Sequence, residues 1–137
     1  MEKQIQRKTL VTTLLYLLLS QLVFSQTKKE WIAPAESDKL VNPLKGNPAA
    51  IEEGKKIFVS MCMICHGETG KGNGAASVAL EPHPANFLSI KVRNESDGAI
   101  FWKMTEGRPP MASYKALLTE QQRWQLVNYI RKLEEKK

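Results

Sequence analysis

Two cysteines and a histidine fall within five consecutive residues, Cys62-Met63-Ile64-Cys65-His66, and the chain has no other cysteine. This cluster constrains the fold more than anything else in the sequence. A disulfide framework needs more pairs at wider spacing. A bridge between these two cysteines would close a loop too short to restrict the unfolded chain much. A structural zinc site needs four ligands, and outside the cluster only His83 remains. A thioredoxin-like redox pair needs a βαβ setting, and no segment alternates with a period of two. The C-x-x-C-H spacing is instead the signature of c-type haem attachment. Two thiols three positions apart can each form a thioether to one vinyl group of one haem (heme c). The adjacent imidazole of His66 then meets the iron.

The remaining periodicity is helical, so the expected fold is all-α, with three main helices around one covalently bound haem. The first helix begins near Asn47, an N-cap residue followed by Pro48 at the first helical position. Ile51, Gly54, Ile57, Phe58 and Met61 recur on one face. Gly54 costs about 1 kcal/mol in a helix interior. Close approach of another helix would explain it; a tolerated surface glycine is the plainer alternative. Gly67, Gly70, Gly72 and Gly74 predict a tight loop after His66. Residues 75–90 should be irregular, with room for a short helix before Glu81. A second helix starts at Ser96 or Asp97 and stops at Gly107. Pro109 and Pro110 then impose an extended segment. The third helix opens on a capping box, Thr119 with Gln122, and presents Leu126, Val127, Ile130 and Leu133 on one face.

Three segments precede and form this domain. Residues 1–25 have the order of a secretory signal: Lys3, Arg7 and Lys8, then the apolar stretch Leu10 to Phe24, then Ser25. A retained membrane anchor is the alternative, though the stretch is short for a bilayer span. No cysteine lies near the cleavage point to take a lipid. Residues 26–46 read as an extended arm, broken by Pro34, Pro43 and Gly46 and lying on the domain through Trp31, Ile32, Leu40, Val41 and Leu44. Residues 47–137 form the haem domain. The reading is of an exported, periplasmic protein, soluble or anchored by its N-terminal segment.

The chain carries a net charge of +6, which falls to +4 once Glu2, Lys3, Arg7 and Lys8 are removed. Such a mild excess suits docking to an acidic protein. It does not suit nucleic acid, because the basic residues are dispersed and no binding motif accompanies them.

The second axial position has three candidates C-terminal to His66. Met111 follows a proline-stiffened segment that can present a thioether without helical constraint. Met104 lies on an apolar helix stripe, where packing is its natural role. His83 sits between two prolines. A Met/His pair would raise the reduction potential and mark an electron-transfer protein. Trp102 and Trp124 could each donate to a haem propionate, or simply pack.

From Pro48 to Leu133 these features resemble class I cytochrome c: Gly54 and Phe58 ahead of the motif, glycines after it, a methionine loop after Gly107, and a terminal helix with Tyr129. The stretches Gly72-Asn73-Gly74 and Pro82-His83-Pro84-Ala85-Asn86-Phe87 are similar to those of bacterial monohaem cytochromes. The resemblance implies that the first and last helices cross at Gly54, with Phe58 and Tyr129 packed there. It implies that Met111 is the axial ligand, although Ala112 stands where the family usually has proline. It implies a non-enzymatic carrier passing one electron between redox partner proteins through transient docking. A fixed subunit of a larger complex, and an open-site haem enzyme or gas sensor, are the rival functions.

Overall fold

The computed structural model describes residues 3–6 and 30–135. The signal-segment reading therefore falls almost entirely outside the described residues. The chain divides between Ile32 and Ala33, and the architecture below is that of the second unit. It comprises α1 (Pro48–Met61), α2 (Met63–His66), α3 (Ile90–Arg93), α4 (Asp97–Glu106) and α5 (Glu120–Glu134), with 3-10 turns at Ala35–Lys39 and Ser77–Ala79. Among the described residues no strand forms; Arg108 and Met111 make one isolated antiparallel bridge. The fold is all-α, as the periodicity predicts.

Each long helix begins where its polar cap places it. The Asn47 side chain accepts from the amides of Ala49 and Ala50 at 2.9 and 3.2 Å. Ser96 Oγ accepts from Ala99 at 3.0 Å. At α5 the Thr119 hydroxyl accepts from the Gln122 amide, and the Gln122 side chain accepts from the Thr119 amide, completing the capping box. These bonds satisfy amides that the first helical turn leaves without partners. The helix α3 was not legible from periodicity, being a single turn started by a Ser89 cap.

The central packing is α1 against α5. A Cβ built on Gly54 would lie 2.0 Å from the Gln125 carbonyl oxygen. The two backbones touch, and only glycine leaves room for them. Phe58 and Tyr129 lock the crossing with ring centroids 5.2 Å apart. Phe58, Leu126 and Val127 are the most completely buried large side chains. Trp124 is buried, stacks on Phe101 at 4.0 Å and ties α5 to α4.

The segment before α1 is held mainly by polar groups. Its Leu44 packs on the core, but Val41 is exposed. Asn42 is buried and donates to Asp97 Oδ2 at 2.9 Å. Arg131 of α5 donates to the other Asp97 oxygen at 2.7 Å and to Glu134 at 3.0 Å. Asn128 accepts from the Gly46 amide and donates towards Asn42. Part of the expected extended arm is thus a 3-10 turn, clamped by a network that no local sequence pattern displays.

Gly54→Ala forces a methyl group into the Gln125 carbonyl. It should cost on the order of 3 kcal/mol in chemical denaturation, at the upper end for overpacking. Burial raises the Asp97 carboxyl, but hydrogen bonds from Asn42 and Arg131 outweigh it and hold it below its ordinary value of 3.8. Its contribution is therefore present at neutral pH and is lost as pH falls through the lowered value. Asp97→Asn should lose about 1–3 kcal/mol at pH 7. The gap from wild type should close as acid unfolding curves are followed to lower pH.

Candidate functional site

The five-residue cluster is one helical turn at the end of α1. Cys62 forms the junction, at φ −113° and ψ −34°. The amides of Cys65 and His66 donate to the Cys62 carbonyl at 3.2 and 2.9 Å. Positions three apart on a helical turn share a face. Cys62 and Cys65 are therefore brought side by side, with His66 directly following. Both cysteines are free thiols and half-buried.

The glycine loop closes this turn. Gly72, Gly74 and Ala76 amides donate to the carbonyls of His66, Cys65 and Ile64 at 2.8, 3.1 and 2.9 Å. These carbonyls would otherwise lack helical partners. A Cβ on Gly74 would sit 2.3 Å from the Ile64 carbonyl oxygen, so this approach needs glycine. The same loop then receives Phe87, whose amide donates to Gly70 at 2.8 Å.

His66 is buried and held on two sides. Its Nδ1 donates to the Ala85 carbonyl at 3.1 Å. A carbonyl can only accept, so the proton sits on Nδ1 and Nε2 keeps its lone pair. That is the tautomer an iron ligand requires, with an outer partner that fixes the ring. Phe87 stacks on the imidazole at 4.5 Å with 16° between planes. Burial lowers the His66 pKa, against the opposing effect of the Ala85 bond, and favours the neutral ring.

The Cys62 thiol is not tuned for redox exchange. Burial, with the neighbouring Cys65, pushes Cys62 up to about 12. Catalytic and metal-binding thiols are instead stabilised as thiolates, with depressed pKa values. No group of three or more His, Cys, Asp or Glu side chains among the described residues could hold a metal ion by itself. The donor set fits a haem: two adjacent free thiols and one oriented imidazole.

Met111 follows the Pro109-Pro110 turn in the segment between α4 and α5, half-buried against the core. Its amide donates to Arg108 at 2.9 Å. Tyr114 links this segment to the cysteine turn: its amide donates to Met104 at 3.1 Å and its hydroxyl to the Met61 carbonyl at 3.3 Å. Met61 immediately precedes Cys62. The loop that carries Met111 and the turn that carries the thiols are thus joined. Met104 is buried in the core, and His83 is exposed. Sequence reasoning did not pick out Tyr114 and assigned Ala85 and Phe87 no role. Their parts depend on a backbone carbonyl and on loop folding, which leave no periodic trace.

The Cytochrome c family model matches residues 51–134, and the chain belongs to the cytochrome c family, whose members carry a covalently attached c-type haem. Among solved structures it is similar to a chain of the reducing HAO-like protein complex of Kuenenia stuttgartiensis. The two share 28% identity at a TM-score of 0.62, over 80% of this chain and 53% of that one. This chain therefore spans about half the length of that neighbour. No curated protein matches.

Phe87 supports both the His66 ring and the Phe58 edge. Phe87→Ala should destabilise the domain by about 3–4 kcal/mol in denaturant titration, as expected for removing a buried aromatic ring.

Proposed function

We propose that this chain is an exported single-haem electron carrier. Cys62 and Cys65 hold the haem, and His66 and Met111 ligate its iron. One observation carries the reading: a buried His66 with its Nδ1 proton committed to Ala85, directly following two free thiols on one helical turn. Cys62 and Cys65 would each hold the haem through a thioether, the S–H adding across one vinyl group with its hydrogen passing to the neighbouring carbon. When bound, the haem supplies a one-electron Fe(III)/Fe(II) couple. His66 is held against rotation by Ala85 and Phe87. Met111 offers a neutral sulfur, and a Met/His pair raises the potential. With His66 and Met111 both committed to the iron, the chain would offer oxygen and peroxide no open site, and no substrate bond would be made or broken. Residues 1–25 direct export to the periplasm, where partners dock through a small transient interface.

The protein purified from cells that attach haem should gain the mass of one haem and lose the signal segment. Its ferric spectrum should show a sulfur-to-iron charge-transfer band that Met111→Ala abolishes. A high-spin ferric spectrum in the wild type would overturn the ligand assignment and favour an open-site enzyme or sensor. A fixed place in a larger redox complex is the second reading, favoured because the solved neighbour is a chain of such a complex. Co-purification of haem-bearing partners under gentle extraction would distinguish it from a free carrier.

A further inference from the structure

Arg123 stands in a position that electrostatics opposes. It lies within the first turns of α5, where the helix dipole is positive and disfavours a cation. It is only 8% exposed. No carboxylate pairs with it among the described residues, and its buried Nε has no hydrogen-bond partner. A buried guanidinium without a counter-ion is costly. Something must offset that cost.

The compensation lies in the segment that bears Met111. Arg123 donates from one terminal nitrogen to the carbonyls of Leu118 at 2.6 Å and Lys115 at 3.3 Å. Its guanidinium carbon lies 5.1 Å from the centre of the Phe101 ring, a cation–π contact. The two carbonyls belong to the turn 114–118, which is closed by amides of Leu117 and Leu118 donating to Tyr114 at 3.2 and 3.0 Å. Tyr114 in turn reaches Met104 and Met61. Ser113 Oγ adds a bond to the Thr105 carbonyl at 2.6 Å. Every fixed point on the C-terminal side of Met111 is thus in, or adjacent to, the turn that Arg123 holds.

We propose that Arg123 is a positioning residue for the Met111 sulfur. The guanidinium clamps the turn 114–118 and so limits how far the loop 107–113 can swing its methionine off the iron. The proposal rests on Met111 being the axial ligand. It assigns Arg123 no contact with the haem.

The test uses the haem-loaded protein with Arg123→Met, which keeps length and removes the donors, and Arg123→Lys, which keeps the charge. Val127→Ala serves as a control, because Val127 is fully buried on the same helix but makes no bond to the loop. Exogenous imidazole is titrated against the sulfur-to-iron band, because it captures the loop-open state. Arg123→Met should lower the imidazole concentration at half-displacement about tenfold, the effect of losing hydrogen bonds from a charged donor to buried carbonyls. Arg123→Lys should lie between it and wild type, and Val127→Ala should not shift it. Hydrogen exchange of the Tyr114, Leu117 and Leu118 amides should rise in Arg123→Met alone. An unchanged imidazole midpoint in Arg123→Met, or an equal shift in Val127→Ala, would overturn the proposal. If Arg123→Met fails to fold, an unshifted Arg123→Lys overturns it on both readouts. A wild type without the band would remove the Met111 assignment itself, and with it the positioning role. The exchange data would then show separately whether the clamp exists.

Discussion

The backbone contact between Gly54 and the Gln125 carbonyl is the constraint on which the other elements depend. It brings α1 and α5 to a separation that no side chain would permit. Phe58 and Tyr129 then meet, and Leu126 and Val127 become wholly buried. With α1 held in this way, its C-terminal end has a defined position. The turn from Cys62 to His66 continues directly from that end. The site chemistry therefore inherits its placement from a helix crossing about two turns earlier, not from its own short sequence.

Two further arrangements finish the site, and both use backbone groups. The glycine loop folds back to satisfy the carbonyls of Ile64, Cys65 and His66, and its closure sets Phe87 against the imidazole. Ala85 supplies a carbonyl that decides which His66 nitrogen keeps a lone pair. On the other side, Tyr114 joins the Met111 segment to both Met104 and Met61. Burial raises the Cys62 thiol and lowers the His66 imidazole, so the same desolvation keeps both groups neutral. A redox dithiol or a zinc site would need the opposite effect on the sulfur.

Much of the helical frame was legible because local chemistry carries it. Asn47 with Pro48, Ser96 before Asp97, and Thr119 with Gln122 mark helix starts by satisfying amides within three residues. Gly107 marks an end in the same local way. The glycine at 54 could be read as a crossing point, but a surface position explained it equally well until Gln125 was seen against it. The arm before Asn47 was the hardest part. Its apolar residues suggested how it lies on the domain, yet Val41 is exposed and the main ties run through Asn42, Asp97, Asn128 and Arg131. These partners are far apart in the chain, and polar pairs at long range have no periodicity to betray them.

By itself the sequence determined the haem-attachment motif and the three long helices. Cys62, Cys65 and His66 stand at a spacing that one helical turn converts into adjacent thiols and an imidazole. The caps and apolar stripes specify an all-α domain. Both follow from interactions within a few residues. Only the tertiary structure decided which histidine nitrogen is available, what supports the ring, and how the methionine segment is fastened to the cysteine turn. Those depend on Ala85, Phe87, Tyr114 and Arg123 arriving from separate loops and helices. Their positions are set by the close packing of α1 on α5, a constraint that acts only once the chain is folded.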